Sequence, residues 1–266
     1  MSDQHRREQN SAALDFSFEH IHTCCCGGHG FVRVDRPVGH ILFGVPIPCI
    51  CQRDEQARRR AERLRATSGI SETEMQEWQF TTFHPELCQS VNGDRPQVVQ
   101  RMAGIKGSCQ EYAARPDGWL ILQGPPGTGK THLAYAIAGE CLRKGRPAFA
   151  HTVPDILQLL RNAYDDEGMF DKALDDLKNV DLLVLDDLGA QRDTSWAMET
   201  LYQILNYRYA RRLGLVVTTN LDLANATDEI EPRLLSRLRE GTQAERGWVR
   251  LLSLPCVDFR PYRVGR

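Results

Sequence analysis

An α/β fold, a parallel sheet with helices on both faces preceded by a small cysteine-rich module, is what this sequence predicts. Three observations carry that expectation. Five short apolar runs, Trp119–Leu122, Ala148–His151, Leu182–Leu185, Leu215–Thr219 and Val249–Leu254, are separated by stretches with helical character. Apolar strands alternating with helices build a buried parallel sheet. The first run leads into a glycine-rich segment, Gly124 to Thr131, and then into a helical stretch, His132 to Leu142. Two later runs end in polar residues, Asp186-Asp187 and Asn220, at the carboxyl edge where open α/β sheets bind ligands.

At 266 residues the chain suits one large domain, or one domain with a small one beside it. The expected division is 1–66 and 67–266. Residues 1 to about 18 form a polar leader with no apolar core behind it, so no signal peptide is expected. His22-Thr23-Cys24-Cys25-Cys26 and Cys49-Ile50-Cys51 follow, with short strands expected at Phe31–Val34 and His40–Phe43. Two cysteine knuckles joined by a hairpin resemble a zinc ribbon. Nine cysteines without an export signal suggest a reducing compartment, where clustered thiols favour a metal over disulfides. The tetrahedral set expected for Zn²⁺ is Cys26, Cys49 and Cys51 with one of His22, Cys24 or Cys25, Cys24 being the first candidate. Thr23 stands where a C-x-x-C knuckle needs cysteine, so a loose thiol-rich loop is the competing reading.

Gln52 to Ala66 is helical and carries six arginines against three acidic residues. It suits DNA phosphate or an acidic partner, or equally a solvated linker. Ser71-Glu72-Thr73-Glu74 is a capping box. An edge strand is expected over Trp78–Phe83, a loop over Asn92–Pro96 and a helix over Gln97–Ala114.

The glycine segment has the spacing G-x-x-x-x-G-K-T in a strand–loop–helix context, which marks a phosphate-binding P-loop. Gly124, Gly127 and Gly129 let backbone N–H groups turn inward, and Pro125, Pro126 and Thr128 complete the loop. The helix N-terminus favours an anion. Lys130 is placed to reach the β- and γ-phosphates of ATP, and Thr131 to ligate Mg²⁺. Asp186 and Asp187 end a buried strand, the first suited to the Mg²⁺ shell and the second to general-base work on water. Asn220 ends another strand, where it can orient that water or touch a phosphate. In Glu231-Pro232-Arg233-Leu234-Leu235-Ser236-Arg237-Leu238, Arg233 and Arg237 share one helical face and suit a neighbouring subunit's phosphate. A solvated basic face is the alternative.

These motifs resemble those of the AAA+ ATPases, and more narrowly the DnaC/DnaI replicative helicase loaders and the IstB transposition helpers. GPPGTGKTHLA, LLVLDDLGA, LYQILNYRY, VVTTNLDL and EPRLLSRL match that group in order and spacing, over roughly residues 65 to 260. The resemblance implies that Gly124 to Thr131, with His132, binds ATP and that Asp186 and Asp187 form Walker B. It makes Asn220 sensor 1 and Arg237, with Arg233 beside it, the arginine finger. Arg260 within Asp258-Phe259-Arg260 is a sensor 2 candidate or a tail arginine. Asp187 stands where glutamate is more usual, so slow hydrolysis is expected. The implied partners are the hexameric replicative helicase, gripped by the amino-terminal module, and single-stranded DNA. Self-association into a ring or spiral is implied as well. An IstB-like transposition helper and a nucleotide-gated adaptor with little hydrolysis are the alternatives. The family's single-strand element falls between Pro154 and Val180; that stretch is acidic here, and a helix packed on the core fits it equally well.

Composition sets the outer limits. Hydrophobic content of 41% and charged content of 26% fit a soluble globular chain. No apolar run nears the roughly 20 residues that span a bilayer, so a cytoplasmic protein without membrane contact is expected. A net charge of −2 gives no global attraction to nucleic acid, and DNA contact must come from a local patch.

Overall fold

The computed structural model describes residues 31–33, 37–38, 40, 43–49, 62, 65–88, 95–164, 167–190, 194–226, 231–240 and 248–256. The chain divides into two compact units, Met1–Arg60 and Ala61–Arg266.

In the first unit β1 (Phe31–Arg33) pairs antiparallel with β2 (Pro46–Pro48), Val32 opposite Ile47. The second strand therefore lies later than the His40–Phe43 expected. His40 and Phe43 belong to a turn instead, with Phe43 N–H donating to the His40 carbonyl at 2.8 Å, and Gly44 follows at φ 72. Two prolines are tolerated in β2 because an edge strand leaves some N–H positions unused.

The second unit carries a five-stranded parallel sheet, ordered β4–β5–β6–β3–β7. Its strands are β3 (Trp119–Gln123), β4 (Ala148–Thr152), β5 (Leu182–Leu188), β6 (Gly214–Thr219) and β7 (Val249–Ser253). All five match the apolar runs of the sequence. Strand alternation sorts their side chains to two faces. Leu120, Leu122, Val184 and Val216 pack with α2 (Arg95–Ala114) and α3 (Lys130–Arg143). Trp119, Ile121, Leu183, Leu185, Leu215 and Val217 face the other core. That core is closed by α4 (Val153–Asn162), α5 (Glu167–Asn179), α6 (Ser195–Arg211) and α7 (Pro232–Glu240). Helix α1 (Glu72–Glu77) opens on the expected capping box, Ser71 and Glu74 bonding reciprocally.

Two expectations before the sheet are corrected. Trp78–Phe83 is a turn, not an edge strand. The Thr82 hydroxyl donates to the Glu77 carbonyl at 2.6 Å and accepts from Gln79 N–H at 3.1 Å, so side-chain bonds replace a ladder. Helix α2 begins at Arg95, so Pro96 stands in its first turn, where a missing N–H costs nothing.

Arg208 is the largest polar side chain in the core. It is fully buried, and its guanidinium donates to the carbonyls of Leu177 and Lys178 at 3.0 Å, Val180 at 2.9 Å, Asp181 at 3.4 Å, and Gly214. It thus binds the last turn of α5, whose carbonyls lack helical partners, to the starts of β5 and β6. Burial pulls its pKa down to about 10, so it stays charged at neutral pH. Among the described residues, no helix is long and apolar enough to cross a membrane.

Candidate active site

The loop between β3 and α3 is shaped by its glycines. Gly129 stands at φ 91, in the left-handed region, and opens α3. At Gly124 an added Cβ would fall 2.8 Å from the Leu254 carbonyl, so only glycine lets the loop lie against the chain leaving β7. Pro125 and Pro126 are exposed, and the buried Thr128 hydroxyl donates to the Pro125 carbonyl at 2.9 Å. Lys130, 7% exposed, donates to the carbonyls of Gly124 and Pro125, each at 2.7 Å. It also donates to Asn220 Oδ1 at 2.8 Å. The other end of that amide, Asn220 Nδ2, donates to Asp187 Oδ1 at 2.9 Å. Thr131 Oγ1 donates to the Asp186 carboxylate at 3.0 and 3.1 Å.

Lys130, Thr131, Asp186, Asp187 and Asn220 therefore meet at the carboxyl ends of β3, β5 and β6. Asp186 is 4% exposed, and burial raises its pKa against the opposing bonds from Thr218 and Thr131. The donor set fits ATP with Mg²⁺. A hard cation takes oxygen ligands, and a hydroxyl and a carboxylate already share a bond here. A phosphate takes N–H groups, a helix N-terminus and an ammonium. Lys130 would exchange its two loop carbonyls for phosphate oxygens.

The other candidates are placed elsewhere. The His132 imidazole is turned to the Gln79–Phe83 turn, with Nε2 2.8 Å from the Gln79 carbonyl and 3.3 Å from Thr82 Oγ1, and its ring lies edge-on to Phe83. Arg237 lies over the Tyr209 ring, 4.7 Å from its centroid, and Tyr209 packs edge-on to Trp119 at the amino end of β3. That is the end of the strand away from the glycine loop. Arg233 is largely exposed, 3.9 Å from Glu231. Arg260, Cys24, Cys26 and Cys51 lie outside the described residues, while Cys49 is buried. A cleft of about 500 Å³, lined by residues such as Phe149, Leu159 and Leu177, lies away from the glycine loop.

Sequence reasoning missed Thr218, which bonds both Asp186 and Asp187. The available signal was a hydroxyl inside an otherwise apolar buried strand. It also missed Gln123, whose amide donates to Ser253 Oγ at 3.0 Å and accepts from Leu223 N–H at 3.3 Å.

Comparison with known proteins bears on this site. The model of the IstB-like ATP binding protein family matches residues 53–235, more than half of the chain. The replicative helicase loader DnaC of Escherichia coli (strain K12) is 33% identical over 137 residues, which is 50% of this chain and 56% of that protein. The chain thus spans about half the length of that relative. The Escherichia coli (strain K12) protein YdaV is 38% identical over 213 residues, 69% of this chain and 86% of YdaV. The solved structure of the DnaC helicase loader is similar at 26% identity and a TM-score of 0.52, covering 67% of this chain and 97% of that one.

Proposed function

This chain belongs to the family of IstB-like ATP binding proteins, and from that premise, with its likeness to DnaC, we propose that it is an AAA+ ATPase that loads a replicative helicase. The observation that carries the ATPase reading is the unbroken polar connection Lys130–Asn220–Asp187 beside the Thr131–Asp186 bond. Bound ATP supplies the bond to be broken, and Mg²⁺ neutralises its phosphate charge. Lys130 would hold the phosphates, and Thr131 with Asp186 would hold the cation. Asp187 takes the proton of water, its carboxylate aimed by Asn220. Asp187 is one methylene shorter than the usual glutamate, so turnover is slow. Arg237 of an adjacent copy completes the pocket and stabilises the developing charge. Its stacking on Tyr209, away from its own glycine loop, supports a role in trans.

The helicase partner rests on the likeness to DnaC. The match to IstB-like proteins favours a second reading, a helper ATPase that assembles on DNA for a transposase. Immobilised full-length chain, challenged in turn with purified hexameric helicase and purified transposase from its source, separates the two. ATP-dependent retention of helicase with single-stranded DNA is expected. Retention of transposase alone overturns the loader assignment. Turnover that stays negligible with DNA and helicase present makes the chain a nucleotide-gated adaptor.

A further inference from the structure

The two carboxylates of the site sit on an irregularity. Strand β5 pairs with β6 through Leu185 opposite Val217, and then through Leu188 opposite Thr219. Asp186 and Asp187 therefore face Thr218 alone, two residues against one, which is a β-bulge. Asp187 takes φ 57, a left-handed backbone that aspartate tolerates better than most residues. The ladder cannot serve Asp187 N–H at such a place, and a side chain does. Thr218 Oγ1 accepts from Asp187 N–H at 2.8 Å and donates its single proton to Asp186 Oδ1 at 2.6 Å. Thr218 is 1% exposed, so water does not compete for either bond.

We infer that Thr218 is a positioning residue, whose hydroxyl sets Asp186 for the cation and Asp187 for the attacking water. This rests on the ATPase reading above. Thr131 also bonds Asp186, but its oxygen must turn to the cation when Mg²⁺ binds. Thr218 is then the hydroxyl still orienting that carboxylate. By the same bond, the Asp187 backbone is fixed where its side chain meets Asn220 Nδ2. Val216 and Val217 precede Thr218 in the strand, so a branched apolar side chain suits the packing and the hydroxyl serves the neighbouring carboxylates.

The test uses full-length wild type, Thr218→Val and Thr218→Ser, and a fluorescent methylanthraniloyl ATP as probe. Binding is measured in EDTA and across a Mg²⁺ titration, with thermal melting alongside. T218V is expected to bind the probe in EDTA within about 2-fold of wild type, while its half-saturating Mg²⁺ rises about 10- to 100-fold, the usual loss on removing a ligand's orienting partner. T218S, which keeps the hydroxyl, is expected to restore the Mg²⁺ midpoint to within about 3-fold. A wild-type midpoint in T218V, or a T218S as impaired as T218V, overturns the inference. Should T218V lose its cooperative melt, Thr218→Ala takes its place. If both lose it while T218S does not, the hydroxyl serves only the fold and the inference falls. Failure of the wild type itself to show Mg²⁺-linked binding refutes the ATPase reading, and the role of Thr218 with it.

Discussion

Replacing Asn220 with alanine separates two jobs that one amide performs. Its Oδ1 accepts from the Lys130 ammonium at 2.8 Å, and its Nδ2 donates to the Asp187 carboxylate at 2.9 Å. A hydrogen bond to a charged group contributes about 1.5–3 kcal/mol. The first bond competes with phosphate for Lys130, so its loss does not weaken ATP binding. The second persists through the reaction, so its loss falls on the chemical step. Asn220 is exposed, and solvent screens the bond, which places the loss at the lower end, about 1.5–2 kcal/mol. Steady-state phosphate release from the full chain across an ATP titration is then expected to show kcat down about 10- to 30-fold. KM for ATP stays level or falls slightly, because Lys130 is freed for phosphate. A KM raised 10-fold or more (on the order of 1.4 kcal/mol) with kcat unchanged would refute the reasoning, since Asn220 would then be a ground-state phosphate ligand.

Three further outcomes are expected. Arg208→Met leaves five carbonyls, on α5, on the connection from α5 to β5 and at the start of β6, without their donor. It is expected to cost about 3–5 kcal/mol in urea denaturation; a loss under about 1 kcal/mol means that the buried charge contributes nothing net. Arg237→Ala is expected to leave ATP binding unchanged while reducing assembly- or DNA-stimulated hydrolysis by about 10³-fold. A stimulated rate equal to wild type removes Arg237 from the neighbouring site. The full-length chain purified without chelator is expected to carry zinc at about one ion per chain by mass spectrometry, and Cys49→Ser to lose most of it; wild type without zinc contradicts the cysteine assignment.

The sheet was legible because its strands are short, mostly apolar runs, with the central β3, β5 and β6 buried on both faces, and such runs need no long-range information to be read. Trp78 to Phe83 is a turn rather than a strand for a local reason. Its aromatic and threonine residues suit a strand, but the Thr82 hydroxyl supplies bonds that a ladder would otherwise supply. Lys130, Asp186 and Asn220 were legible as strand-end and loop residues, and their convergence follows from the parallel order of β3, β5 and β6. Thr218 was not, because threonine is an ordinary β-former and its carboxylate partner lies 32 residues away. The stacking of Arg237 on Tyr209 is likewise invisible locally, since α6 and α7 meet only through the fold.

In the proposed mechanism the carboxyl edge of this sheet holds ATP with its magnesium through Lys130. Isothermal titration of ATP into the full chain, with and without Mg²⁺ and for wild type and Lys130→Ala, tests it most directly. Saturable binding that tightens with Mg²⁺ and weakens by about 100-fold or more without the ammonium is predicted. Equal affinities for the two chains, or no binding by wild type, would contradict it.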